Sequence, residues 1–449
     1  MAKTYDLIVV GAGPAGLMAA KTAGENGLNV ALIERKKTIT DINRACSMML
    51  VTLTGKYLEE RIVLNTHGNR LCFPAYGFSI PYPGRLQDFY SWSIYSHRGS
   101  KIQLGDYEKN VQLGDKGRIS AVYDKEALLK ALLSDVNESH VDVFDSFNVV
   151  GTQTVNGKVT VFTREGTSFT GTFVIGADGR ASCLAKTLGL NKTRQYYGTS
   201  MSFGYEMTGV EPPEKFALFQ IFLNSRPPLL AWMTPRAGDG KHFLFINSLF
   251  PGIDFEAHFD DFITRGYFSR WFSNAQKQRA LCAIGNMYSH VTDPYKDQVL
   301  LVSDAAFCQE AEMTGAVICG WKAANSITYA LTEGMVSRRG VLPYLDWWRN
   351  TIIDKLDHRA LIRNVVMPRV LTADEIDFLF SSIKRTINGI LDPYETPKMV
   401  GEAMAEILPL VERKRPDIFQ KLRIMQTDPL EILFKRCIRT GFPTTMKTT

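Results

Sequence analysis

Short apolar runs recur along the chain, and several end on a glycine or an acid. Tyr5 to Val10 is apolar and β-branched without alternation, the pattern of a strand buried on both faces of a parallel sheet. LMAAKTAGENG then has helical character and stops at Gly27, and LNVALIE is a second strand whose last residue is Glu34. TFVIGADGRASCLAKTLGL, from Thr172, reads as a buried strand, a Gly-Ala-Asp-Gly turn and a helix-like stretch. QVLLVSDAA, from Gln298, is another buried strand ending at Asp304, and helical periodicity follows from Ala316 to Leu331. It returns in VLPYLDWWRNTIIDKL and MVGEAMAEILPLVERK near the carboxyl end. Strands alternating with helices in this way predict an α/β cofactor domain.

The first turn carries the sharpest chemistry. GAGPAG places Gly11, Gly13 and Gly16 in G-x-G-x-x-G register between a strand and a helix. Gly11 permits the tight turn, Gly13 lets the backbone approach a pyrophosphate, and Gly16 lets the helix pack close to the strand. The helix amino-terminus then turns its partial positive charge toward the phosphates. Glu34, 18 residues after Gly16, can accept from both ribose hydroxyls of an adenosine. An acid there argues against a 2′-phosphate, which leaves FAD or NAD. Ala15 in the same turn and Arg35 after Glu34 complete this part of the cofactor-binding set.

Composition changes the picture only by exclusion. A chain of 449 residues, 45% hydrophobic and 22% charged, is ordinary for a globular protein of about two or three domains. Its seven cysteines form no Cys-x-x-Cys and share no ligand spacing with the seven histidines. No metal site, no disulfide framework and a reducing, cytoplasmic setting are therefore expected. MAKTYDLIVVGAG enters a strand at once, so no signal peptide is expected, and no apolar run reaches the roughly 18 residues of a membrane span. A net charge of +6 without a nucleic-acid motif predicts no nucleic-acid partner. Between Arg413 and Arg439, eight Lys/Arg stand against three acids, with Ile418, Phe419, Leu422, Ile424, Leu433 and Phe434 interspersed. This reads as a solvated helical face, with docking on an anionic membrane surface as the sharper alternative.

The G-x-G-x-x-G turn, the GADG turn and the strand ending at Asp304, in this order, resemble the FAD-binding fold of the para-hydroxybenzoate hydroxylase superfamily. That superfamily includes the aromatic hydroxylases and the geranylgeranyl reductases. The resemblance implies FAD as cofactor, with Asp178 and Gly179 beside the pyrophosphate and Asp304 on the ribityl chain. It also implies that Gly315, Ala316 and Val317 underlie the isoalloxazine at a helix start. DINRACSMML adds Arg44, Ala45 and Cys46, where hydroxylases often have Arg-Ala-Gly and the reductases often a cysteine close to the flavin. AVYDKEALLKALL resembles the superfamily's strand-exit Asp before an apolar helix. SCLAKTLGL resembles the reductases' Ser-x-x-Ala-Arg-x-x-Gly-Leu, with Ala185 where hydroxylases carry an arginine. LLAWMTP partly resembles their Tyr-x-Trp-x-Phe-Pro, keeping Trp232 and Pro235.

Together these favour the reductase branch, in which reduced flavin gives hydride to a carbon–carbon double bond of an apolar or polyprenyl substrate. A flavin-dependent aromatic hydroxylase and a non-catalytic, flavoprotein-like accessory subunit are the alternatives. No second G-x-G-x-x-G exists, so the electron donor is NAD(P)H without its own domain, a ferredoxin or a reduced deazaflavin. The implied architecture is a Rossmann-like FAD domain with an inserted antiparallel-sheet substrate domain and a helical carboxyl-terminal cap. The FAD domain takes residues 1–60, 115–190 and 285–335, the substrate domain 61–114 and 191–284, and the cap 336–449. Aromatic-rich stretches, Cys72–Gly99 and Phe216–Trp232, supply Tyr82, Trp92 and Trp232 as substrate-binding candidates.

Three positions depart from the superfamily's pattern. Ser303 replaces a glycine, Glu312 a proline, and Val317 the second glycine of Thr-Gly-x-Gly-Ile. Valine adds bulk at the expected flavin contact and disfavours positive φ. Since the dinucleotide end is intact, a modified flavoenzyme is expected rather than a decayed one. Glu312, in an apolar pocket, is a candidate general acid, and Cys46 a candidate proton donor or substrate contact. Cys308 and Cys319 are expected to pack in the core, and His97 and His242 to be structural.

Overall fold

Parallel pairing around the amino-terminal strand organises the cofactor half. A computed structural model describes residues 3–433 except Thr52, Thr66, Pro227, Asp239, Gln309 and Glu431; of Asn364, Pro368 and Arg369 only the backbone is described. Strand β1 (Thr4–Val10) lies between β2 (Val30–Ile33) and the later β4 (Ser168–Gly176), and β3 (Val141–Phe144) flanks β2. On the far side of β4 runs β5 (Val299–Leu301), parallel to it, with Ile175 opposite Leu300. Val10 aligns with both Ile33 and Gly176, so the strands end level. Antiparallel strands Val149–Val155 and Lys158–Thr163 extend the sheet from the first half of β4. Leu7, Ile8, Val9 and all of β5 are fully buried, which is why these strands read as continuous apolar runs.

Level strand ends bring distant loops to one edge. Gly11 N–H donates to Ile33 O at 2.8 Å, Ala177 N–H to Val10 O at 2.9 Å, and Val302 N–H to Gly176 O at 3.0 Å. Pairing therefore continues one step past each strand. The glycine turn, Glu34, the GADG turn and Asp304 leave the sheet side by side at its carboxyl edge, where α/β sheets bind ligands.

Helices α1 (Pro14–Glu25), α2 (Lys125–Asn137) and α3 (Glu312–Thr332) complete this half. Asp124 caps α2 by accepting from Ala127 N–H at 3.0 Å. The sequence predicts α3 from Ala316, yet it begins at Glu312, so the altered loop is its first turn. Nothing between Glu312 and Ala316 breaks a helix, and Met313 to Gly315 are buried.

A second, seven-stranded sheet stands over that edge. Its order is Gln276–Tyr288, Tyr196–Thr208, His242–Ser248, Leu230–Pro235, Ala217–Phe222, Ser91–Tyr95, Lys101–Leu104. One face is sealed by a core of Phe219, Met233, Leu244, Ile246 and Phe259, the last from helix Phe255–Thr264. Helices of the carboxyl-terminal third pack on both sheets. There Ile418, Leu422 and Leu433 are buried, while Lys421 bridges to Glu375 and Arg415 to Asp417. These three apolar residues are turned inward, while Phe419 and Ile424 are half-buried. Phe434, Lys435, Arg436 and Arg439 of that segment lie outside the described residues, as does Glu431. No helix among the described residues is long and apolar enough to cross a membrane.

Helices α1 and α3 touch through backbone. A Cβ at Gly320 would stand 2.2 Å from Ala15 O and 3.1 Å from Ala19 N. Gly320→Ala is expected to push the helices apart and cost about 2–3 kcal/mol, measurable by denaturant unfolding, with weakened cofactor retention alongside.

Candidate functional site

The glycine turn has the shape of a phosphate cradle. Gly11 adopts φ +99°, and a Cβ there would lie 2.5 Å from Ala177 O. At Gly16 a Cβ would collide with Gly11 O at 1.7 Å, so only glycine lets α1 start this close to the turn. Gly13 differs: nothing lies within 4 Å of its Cβ position, and the start of α1 opens onto that space. Gly179, at φ +78°, is equally open. Ala15 is buried in the first turn of α1. Glu34 is buried at the tip of β2; one oxygen accepts from Ala12 N–H at 2.7 Å and the other from Lys36 N–H at 3.0 Å. Each carboxylate oxygen keeps a lone pair for a ribose hydroxyl. Arg35, next to Glu34, is exposed at the edge of this group. Asp178 accepts from Leu184 N–H at 3.1 Å with one oxygen, while the other is buried without a partner. An open glycine cradle, an acid on the second strand and an orphaned buried oxygen fit an adenine dinucleotide.

Beyond the cradle lies a ring of charge. Asp304 Oδ1 accepts from Ala311 N–H at 2.8 Å and so ties the exit of β5 to the start of α3. Its other oxygen is 4.0 Å from Arg44, which donates to Glu310. Arg180 reaches the same Glu310 oxygen at 3.5 Å. Arg44 and Glu310 keep 39% and 33% of their side chains accessible although both are strongly desolvated. Groups that are deep yet accessible line an internal cavity. Desolvation pushes Glu310 up, but the Arg44 and Arg180 guanidiniums outweigh it and hold its carboxyl below the usual range. Burial raises Asp304, with Glu310 adding to the effect. For Glu312, burial first, then Glu310 and Asp304, push the carboxyl up to about 8. Its backbone sits at φ +58°, a left-handed conformation that favours glycine, and Ser303 is similar at +54°.

Cys46 borders this cavity from the loop after β2. Its sulfur accepts from Met48 N–H at 3.4 Å and lies 3.9 Å from Lys125 Nζ, at the start of α2. The Cys46 carbonyl accepts from Arg236 at 2.9 Å, and Arg236 also pairs with Glu206 at 3.1 Å and stacks on Phe243. Ala45 N–H donates to Cys282 O at 2.9 Å. The loop is thereby fastened to the second sheet, whose open face carries Trp92 and Trp232, 5.7 Å apart. Trp92 Nε1 is buried with no partner among the described residues.

Several expectations change. Val317 is fully buried within α3 and its φ is not positive, so the left-handed residue is Glu312 instead. Gly315 gives room not to an open cavity but to Tyr57 and Leu58, each 3.1 Å from its Cβ position; Ala316 is buried too. Once α3 starts at Glu312, these positions belong to its interior turns. Tyr82 is a structural residue: its hydroxyl donates to Arg85 O at 2.6 Å and accepts from Asp124 N–H at 2.7 Å. Cys308 and Cys319 are buried. Sequence reasoning missed Glu310, Lys125, Arg180 and Arg236. Lys125 and Arg180 adjoin recognised motifs, and that adjacency was the available signal.

A family model described as FAD binding domain matches residues 4–310. Digeranylgeranylglycerophospholipid reductase of Methanosarcina mazei is 23% identical over 399 residues, spanning 86% of this chain and 89% of its own. The crystal structure of a geranylgeranyl bacteriochlorophyll reductase-like protein from Thermoplasma acidophilum aligns with a TM-score of 0.70 at 20% identity, covering 94% of this chain and 99% of that one. A p-nitrophenol 4-monooxygenase from Pseudomonas putida aligns with a TM-score of 0.56 at 14% identity, covering 97% and 98%.

The raised Glu312 carboxyl links stability to pH. Its ordinary value is 4.5 and its folded value about 8, so the folded chain holds a proton that the unfolded chain releases between them. Stability from this group is complete below 4.5 and is lost as pH rises through 8. Asp304 acts in the same sense, Glu310 in the opposite one. Thermal or denaturant unfolding between these limits should show a falling slope of up to about 1.4 kcal/mol per pH unit, and Glu312→Gln should flatten it.

Proposed function

The chain belongs to the FAD binding domain family, and from that premise we propose that it is an FAD-dependent reductase acting on a carbon–carbon double bond of a polyprenyl-type substrate. The observation that carries this reading is an aromatic, half-open sheet face fastened beside a desolvated acid and a thiol at the carboxyl edge of the dinucleotide sheet. The names of the Methanosarcina and Thermoplasma relatives support the substrate class.

Gly13 and the start of α1 would hold the pyrophosphate, with Asp178 beside it free to accept from a hydroxyl of the cofactor, Glu34 the ribose, and Asp304 with Arg44 the ribityl side. When bound and reduced, FAD supplies a hydride to one carbon of the double bond. The other carbon needs a proton. Glu312 keeps one on its carboxyl up to about pH 8, which suits a general acid at neutral pH. The Cys46 thiol is the second acidic hydrogen, held in place by Met48 N–H and by Arg236 at its own carbonyl. Trp232 and Trp92 give the chain an apolar bed and exclude water from it. NAD(P)H, a ferredoxin or a reduced deazaflavin would restore the electrons.

The test is anaerobic turnover of the FAD-loaded protein with a chemically reduced donor and a geranylgeranyl substrate, followed by mass spectrometry. A product heavier by one hydrogen pair per double bond supports the proposal. An oxygenated product under air, or no product with any donor, sinks it. Glu312→Gln should lower kcat by about 10²–10³-fold and remove the fall in rate above about pH 8. Unchanged turnover in Cys46→Ser would take the thiol out of the mechanism.

A further inference from the structure

The open face of the second sheet is not uniformly apolar. Strands Leu230–Pro235 and His242–Ser248 lie inside the sheet, so their side chains reach solvent only through a groove over one face. On that face Leu230, Trp232, Phe245 and Asn247 are half-buried, while Ala231, Met233, Leu244 and Ile246 behind them are fully buried. Trp232 is registered with Phe245, which is registered with Gly204. A Cβ at Gly204 would stand 2.0 Å from Leu244 O, so this part of the floor stays free of a side chain. Here the groove is a strip of aromatic rings.

One step along the strands the chemistry changes. Asn247 is registered with Ser202, and Ser200 with Gly285. Asn247 Nδ2 donates to Ser200 Oγ at 2.8 Å, to Ser202 Oγ at 2.9 Å and to Met201 O at 3.3 Å. The amide donors are spent within the cluster. Asn247 Oδ1 has no hydrogen bond among the described residues, and each serine, used as an acceptor, retains its own O–H. Two hydroxyl donors and one carbonyl acceptor are therefore left over. Leu249, two residues beyond Asn247, packs against the apolar cluster to which helix His358–Val370 contributes Ile362 and Val366, at this end of the groove.

Charge decides what kind of group fits. Arg180 approaches this end of the groove, its Nε 2.9 Å from the Cβ position of Gly285. Its charge is shared with Glu310, which also pairs with Arg44, and Arg44 has Asp304 at 4.0 Å. Both guanidiniums are thus already engaged by carboxylates rather than open to a phosphate. At the other end of the groove, Ala45 of the Cys46 loop packs on Phe243. Phe243 and Asn247 are four residues apart on one strand, about 13 Å.

Resting on the reductase reading above, we propose that Asn247, Ser200 and Ser202 form a subsite for a neutral oxygen function, an alcohol or ether, at one end of the unsaturated chain. That end is held about 13 Å from the Cys46 loop, with Trp232 and Phe245 under the chain between. The preferred substrate is thus a polyprenyl alcohol or ether whose oxygen enters the groove, and not a phosphate-headed one bound by its charge.

The experiment is a tryptophan-fluorescence titration of the FAD-loaded protein with three probes: geranylgeraniol, the hydrocarbon of the same chain lacking the hydroxyl, and geranylgeranyl phosphate. Wild type should bind the alcohol about tenfold tighter than the hydrocarbon. Asn247→Leu should bind the two alike, with hydrocarbon affinity retained. The double variant Ser200→Ala with Ser202→Ala should fall between, and it carries the test if Asn247→Leu melts early. Equal binding of alcohol and hydrocarbon to wild type, or discrimination that survives in both variants, overturns the subsite. Tightest binding of the phosphate overturns its neutral character, and no binding of any probe overturns it as well. Because binding needs no turnover, selective binding without reduction would sink the reductase reading and leave the subsite standing.

Discussion

The arrangement depends on how closely α1 and α3 approach. Gly320 places its Cα against the backbone of Ala15, at a distance no side chain tolerates. Without that approach α3 would lie further from the first turn of α1, and the segment from Asp304 to Glu312 would swing away from the glycine cradle. Gly16 makes the matching concession on the other side, against Gly11 O. Two missing side chains therefore bring the first and last pieces of the dinucleotide sheet to one edge, though they are some three hundred positions apart. Dense packing then makes the geometry hard to deform.

Closeness has an electrostatic consequence. Three carboxylates, Asp304, Glu310 and Glu312, are drawn into one desolvated space with Arg44 and Arg180. Glu310 takes both arginines and stays ionised. At Glu312, burial and two like charges outweigh Lys125 and Arg44, and the carboxyl keeps its proton instead. Two glutamates two residues apart are thus pushed in opposite directions by their partners, the pattern by which one site sets aside an acid at neutral pH. Glu310 is then not incidental to Glu312: by claiming the guanidiniums it leaves the other carboxyl without an ion pair of its own among the described residues.

What the sequence showed and what it hid follow from the range of the interaction. The roles of Gly11, Gly13 and Gly16 are properties of a single turn, and they were legible together with Glu34. Buried parallel strands were legible because both faces are covered and no alternation remains. The Arg44–Glu310 pair spans 266 residues, and no local pattern marks either partner for the other. Tyr82 and Trp232 look alike as aromatic candidates, and only a hydrogen-bonded hydroxyl on one and a half-open ring on the other separates them. The start of α3 was misplaced for another reason. In sequence the first turn reads as a loop, because its small and apolar positions match a flavin-contact motif, yet they form the inner face of a helix.

That misreading bears on whether the departures from the superfamily's pattern are damage. Val317 is not strained, since it sits in regular helix with its side chain in the core. The strain lies at Ser303 and Glu312, both left-handed without being glycine, which costs on the order of 1–3 kcal/mol at such a residue. A site drifting toward loss would be free to relax such positions, or to lose the glycines that no longer serve a ligand. Here the cradle remains open at Gly13 and Gly179, and the strained residue at the helix start is the one whose carboxyl keeps a proton. Left-handed backbone at Glu312 is how a helix can begin and still leave its first side chain in the cavity beside Asp304 and Glu310. Other left-handed residues, such as Asn69 and Asn156, lie elsewhere in the fold, but at Glu312 the strain falls where the chemistry would need it.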